Sequence, residues 1–258
     1  MSSTIKIPDN EVNKPWSAKA TLGLTCLLLA LYFIISMISV GVGAGIEASL
    51  SATSPENAQA VGSQAAERLV LDGDFNSINY LLTALCLSPL IFYMAGRRKI
   101  TTAAAYLGFD RLPSKKHFIH FNFAIIGYFI FSYFASDALG IEMPQSMIEL
   151  YNTTDYMFLL FIVVVVAAPL FEELIFRGFM FKGLQHSPLG ITGTIIITSV
   201  LFTLIHAGQY DVFILAVLFP LAVILGLSRY KSGGIYLPIY LHFVNNLYSS
   251  IEMYLAMS

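Results

Sequence analysis

FIVVVVAAPLFEELIFRG, residues 161 to 178, passes from an apolar run into two carboxylates and a guanidinium with no polar spacer. An ionisable side chain at the bilayer centre costs about 2.5 to 3.5 kcal/mol on insertion scales, so a charge there calls for a partner or a purpose. Within E-E-x-x-x-R, Glu173 and Arg177 stand four apart on one helix face and can pair, whereas Glu172 points about 100° away. Glu172 is thus the carboxylate left without a local cation. Pro169 inside a helix frees the carbonyl of Val165 and bends the axis, which favours a water-accessible cavity over sealed packing. The alternative is that the three charges lie at the water interface, with Arg177 snorkelling.

The rest of the chain supports a membrane setting. Of 258 residues, 57% are hydrophobic and 12% charged, against roughly 45 to 50% and about 25% in soluble domains. A net charge of -2, with no basic tail, gives no nucleic-acid signature. Cys26 and Cys86 fall in apolar runs, which argues against a disulfide framework or a metal pair and assigns them to packing. Lys6, Lys14 and Lys19 precede an apolar stretch from Thr21 to Gly43, longer than the roughly 7 to 15 residues of a signal-peptide core, so an uncleaved first span is expected.

Spanning helices need about 20 mostly apolar residues. Seven segments qualify: 21–43, 77–95, 118–136, 157–177, 190–207, 211–228 and 235–256. The stretch 47–68 reads as a loop or surface helix, and 101–113 and 142–151 as segments along the membrane surface. Basic loop residues stay cytoplasmic. With the N-terminus inside, inner loops collect Arg97, Arg98, Lys99, Arg111, Lys115, Lys116, Lys182, Arg229 and Lys231, while outer loops hold Arg68. The expectation is an all-α polytopic transmembrane helical bundle of about seven spans, N-in and C-out.

Two further polar pairs interrupt the late spans. Phe202 and His206 form F-x-x-x-H at the far end of the fifth, and His242 and Asn246 form H-x-x-x-N on one face of the seventh, beside Asn245. Each has a plainer reading, an interfacial histidine in the first case and interhelical hydrogen bonding in the second. If helices four and five both run to the turn at 186–190, Glu172 and His206 stand level, roughly 23 to 24 Å from it at 1.5 Å per residue. This requires a fourth helix of some 30 residues, with Gly178 and Gly183 as potential breaks. His242, counted from Gly234, comes only about 12 Å along its helix.

EELIFR, FTLIH and HFVNN, in this order on successive spans, resemble the E-E-x-x-x-R, F-x-x-x-H and H-x-x-x-N motifs of the CAAX protease and bacteriocin-processing (CPBP, or Abi) family of intramembrane endopeptidases, which includes type II CAAX prenyl endopeptidases. The resemblance covers roughly residues 155 to 250. It implies a glutamate-type protease with Glu172 as general base, His206 holding the attacking water, His242 and Asn246 stabilising the oxyanion, and Glu173 with Arg177 orienting the site. The chemistry suits such roles, since peptide hydrolysis needs a base for water and donors aimed at the developing negative oxygen. Catalysis without a cofactor is favoured. The alternative is zinc held by Glu172, His206 and His242, although these residues make no H-E-x-x-H helix.

On this reading, residues 1–20 form a cytoplasmic N-terminal segment, 21–151 the N-terminal transmembrane helices with an extracytoplasmic loop, and 152–258 the catalytic core. The partners expected are the lipid bilayer and a membrane-associated peptide or protein substrate, and the location the inner (plasma) membrane of a prokaryote. Competing readings are a proton-coupled transporter, because buried Glu, His and Arg also mark proton paths, and a non-catalytic bacteriocin-immunity or scaffold protein.

Overall fold

The computed structural model describes residues 14–98 and 100–257. Lys6, Lys99 and most of the N-terminal segment used above therefore lie outside the described residues. The chain is all helical: 82% of it is helix and no strand is present among the described residues. The helices are α1 (Ala18–Ser51), α2 (Pro55–Leu71), α3 (Gly73–Gly96), α4 (Ala103–Leu107), α5 (Lys115–Leu139) and α6 (Gln145–Asn152), then α7 (Met157–Leu184), α8 (Gly190–Leu204), α9 (Val212–Ser232) and α10 (Tyr236–Met257).

Among the described residues five helices, α1, α3, α5, α7 and α9, are long and apolar enough to cross a membrane, two fewer than the seven segments expected. The other two segments are helical. However, α8 has 15 residues, short of the roughly 20 a span needs. α10 has 22, but its histidine, asparagines and serines leave it below the apolarity of the five. The expected surface segments contain α2, α4 and α6.

Local chemistry explains where helices begin. Ser54 and Asn57 form a reciprocal capping box at the start of α2, with Pro55 following. Asp72 caps α3 by accepting from Phe75 N, and Ser114 caps α5. Asp74 reaches across the fold, its two carboxylate oxygens accepting from Asp155 N at 3.0 Å and Tyr156 N at 3.1 Å. The starts of α3 and α7 are thereby level, and the two helices run side by side. At the other end of α3, the indole of Trp16 donates to Met94 O at 3.0 Å, under the guanidinium of Arg98.

α7 is the axle of the bundle. Every residue from Leu174 to Met180 is buried, and the main core joins Phe171, Leu174, Ile175, Phe176, Phe179 and Met180 to α1, α3, α4 and α8. α7 has 28 residues, close to the length the depth argument required and seven beyond the segment ending at 177. Neither Gly178 nor Gly183 breaks it. A Cβ at Gly178 would meet Ile235 Cδ1 at 3.2 Å, and one at Gly183 would run into Thr21 of α1. Both glycines admit a neighbour instead of bending the chain. Cys26 and Cys86 are free and exposed on the outer surface of the bundle, which corrects their assignment to packing. A thiol in an apolar run suits a lipid-facing surface as well as a core.

Candidate active site

Two stretches of α7, Val163–Ala167 and Leu174–Met180, are wound as π-helix and bracket the short α-helical piece Ala168–Glu173. Such widened turns recur at functional sites. Pro169, which supplies no backbone N–H, begins that piece, and Glu172 and Glu173 end it.

Glu173 is fully buried and doubly engaged. Its Oε1 accepts from Arg177 Nη1 at 2.9 Å and faces His242 Nδ1 at 3.0 Å. Arg177, also fully buried, donates through Nη2 to Ala222 O of α9 at 2.9 Å, and its guanidinium lies 4.5 Å from the ring centroid of Phe202. The pair expected from the four-residue spacing is therefore formed, and two further helices add bonds to it, while Glu173 Oε2 and Arg177 Nε stay without a partner.

Glu172 makes no ion pair with lysine or arginine among the described residues. Its Oε1 accepts from the Tyr80 hydroxyl at 3.4 Å. Its Oε2 has no hydrogen-bond partner and stands 3.9 Å from His242 Nε2. Because Nδ1 of His242 faces a carboxylate oxygen, the network places a proton there and turns Nε2 toward Glu172.

His206 follows the last turn of α8. Its Nδ1 is 2.8 Å from Phe202 O; a carbonyl can only accept, so Nδ1 carries the proton and Nε2 is free to accept. The ring stacks on Tyr210, centroids 5.8 Å apart and planes 8° from parallel. No hydrogen bond joins His206 to Glu172 or His242 among the described residues. The two histidines instead flank Phe202, at 5.1 and 5.4 Å between centroids. The phenylalanine of F-x-x-x-H is thus the surface on which both imidazoles and Arg177 rest. Tyr210 lies in the field of Glu172: burial first, then that charge, pushes its hydroxyl up to about 12.

The depth mismatch at His242 disappears because α10 starts inside the protein. Ile235 is fully buried and donates its N–H to Gly108 O at 3.0 Å, and it lies against Gly178. Counting from that shared level, Glu172 lies six residues away along α7 and His242 seven along α10, roughly 9 and 10 Å. Asn246, one turn beyond His242, donates Nδ2 to Val164 O at 2.9 Å and accepts from Asn245 Nδ2 at 3.1 Å on its own oxygen.

The structure thus joins Glu172, Glu173, Arg177 and His242 directly, brings His206 to them through Phe202, and ties Asn246 of α10 to Val164 on the helix that carries the carboxylates. Sequence reasoning missed Tyr80, Tyr210 and Arg229. The last of these donates Nε to Arg177 O at 2.7 Å. The available signal for Tyr80 was polar residues Asn76, Ser77, Asn79 and Thr83 inside an apolar span. Among the described residues no three His, Cys, Asp or Glu side chains gather at metal-binding distance. No step is derived through a metal.

Residues 154–248 match the family model of Rce1-like proteins, type II CAAX prenyl endopeptidases. No curated protein and no solved structure matches the chain.

Proposed function

We propose that this chain, whose residues 154–248 match the Rce1-like family model, is an intramembrane endopeptidase in which Glu172 activates water against a peptide bond of a membrane-associated substrate. The observation that carries this reading is the unequal use of the two carboxylates. Glu173 is held through one oxygen by both Arg177 and His242, whereas Glu172 has no arginine or lysine beside it among the described residues, receives one hydrogen bond of 3.4 Å from Tyr80, and stands 3.9 Å from His242 Nε2.

In this mechanism Glu172 takes a proton from water held with the help of His206 Nε2, and the resulting hydroxide attacks the peptide carbonyl. The carbonyl π electrons move to oxygen. When protonated, His242 Nε2 donates to that oxyanion, and the second amide hydrogen of Asn246 is available beside it. Collapse of the tetrahedral intermediate breaks the C–N bond, and Glu172 returns its proton to the leaving amine. Glu173 and Arg177 orient His242. Residues 152–258 form the catalytic core, with Tyr80 reaching in from the N-terminal helices. The chain lies N-terminus inward, in the inner membrane of a prokaryote.

Replacing Glu172 by Gln keeps the shape and removes the base. Cleavage of membrane peptides by Glu172→Gln should vanish while insertion stays normal, and comparing the membrane peptidome of cells carrying either form identifies the substrate. Retained cleavage would overturn the assignment. Altered solute flux would favour a carrier, and intact partner binding without any cleavage in the wild type a scaffold. We further propose that no metal takes part, a reading that stoichiometric zinc, lost together with activity from purified protein, would reverse.

A further inference from the structure

The widened winding of α7 leaves carbonyls that its own backbone does not satisfy. In the first π segment, the Ala168 N–H reaches back five residues to Val163 O. In that register the next carbonyl, Val164, falls to residue 169, which is proline and has no N–H to give. The missing donor is Asn246 Nδ2, at 2.9 Å. Its amide is held in that sense by Asn245, which donates to Asn246 Oδ1 at 3.1 Å.

The arrangement recurs on the far side of the carboxylates. The Phe181 N–H donates to Phe176 O and Gly178 O, passing over Arg177, and Arg177 O receives Arg229 Nε at 2.7 Å. Glu172 and Glu173 lie between two freed carbonyls, each met by a side chain from another helix. Inside a bilayer no water replaces such a donor at a lipid-facing position, so each bond also fixes the rotation of the helix that carries it.

We propose that Asn246 serves the reaction as a positioning residue: its amide meets the Val164 carbonyl that Pro169 leaves without a donor, and so holds the rotation of α7 that aims Glu172 at His242. This rests on the proteolytic reading, with Glu172 as base, and goes beyond it by giving Asn246 a task separate from the oxyanion. It also links two residues far apart in sequence through one missing hydrogen, and the link can be cut from either end.

The test is a double-mutant cycle on the full chain in detergent or liposomes, using Asn246→Ala, Pro169→Ala and both together, with Glu172→Gln as the blank. In the wild-type background Asn246→Ala should lower kcat about tenfold, the scale of one buried unmet carbonyl, with KM little changed. In the Pro169→Ala background, where the new backbone N–H at position 169 takes over the positioning, the same substitution should cost about threefold less than in the wild type or better, what remains being its share in the oxyanion, each loss taken against its own parent. Thermal midpoints should show the same coupling.

Equal losses in both backgrounds would assign Asn246 to the oxyanion alone and overturn the positioning role. Thermal coupling without coupling in kcat would overturn it too, because the bond would then hold the helix without serving the reaction. If Glu172→Gln cleaves like the wild type, the proteolytic reading fails. The thermal cycle then decides by itself whether Asn246 substitutes for the proline's missing donor, and additive shifts would remove that link as well.

Discussion

α1 and α7 are both long and apolar enough to span a bilayer, yet they occupy opposite places. Of the 34 residues of α1 only Thr21, Thr25, Leu28 and Ala44 are buried, while Phe33, Ile34, Met37, Ile38 and Val42 are exposed. In α7 every residue from Glu173 to Phe181 is buried, with Glu172 at the edge of that stretch. Lipid tails solvate a leucine as well as a protein core does, so apolarity does not sort helices between the rim and the centre. What sorts them is the polar side chain that must find partners. α7 carries Glu172, Glu173 and Arg177, and the partners come to it from α3, α9 and α10.

This contrast can be broken at four points. The largest effect is expected at Glu172: Glu172→Gln should lower kcat by about 100- to 10,000-fold, the range for losing a general base, in a cleavage assay with reconstituted protein. Next, Arg177→Leu removes one half of a buried pair and leaves Glu173 beside His242 alone. It should destabilise by about 3 to 5 kcal/mol, read as a lower thermal midpoint in detergent. Third, Gly183→Ala pushes a methyl into Thr21 of α1, and should cost about 1 to 3 kcal/mol by overpacking. Last, Met37→Ala on the exposed face of α1 should stay within about 0.5 kcal/mol of the wild type. A large loss there would mean that α1 packs against something more than lipid.

Much of this was legible from spacing. Glu173 and Arg177 pair because residues four apart share a helix face, and Glu172 is left over for the same reason. What escaped was whatever depends on winding or on other helices. The expectation that Pro169 frees Val165 O assumed α-helical register; the π turn adds one residue, so the freed carbonyl is Val164. Tyr80 reaches Glu172 from α3, where Asn76, Ser77, Asn79 and Thr83 mark a polar stretch but not the helix that it meets. α8 is shorter than its apolar segment because the chain turns at Ile205 to present His206. Likewise, His242 looked misplaced only because the entry of α10 beneath α4 cannot be counted from sequence.

The clasp at Asp74 has a bearing on assembly. One carboxylate holds the two amides just before α7 across 81 positions of chain, with α5 lying between them in sequence, so the contact cannot close until α5 has been made. During synthesis the third helix must wait in lipid with Asp74 unfilled, and the arrival of Asp155 and Tyr156 sets the height at which the charged turn finally comes to rest. A chain arrested before that point would hold α1, α3 and α5, each apolar enough to cross a membrane, and none of the charged turn that α7 brings.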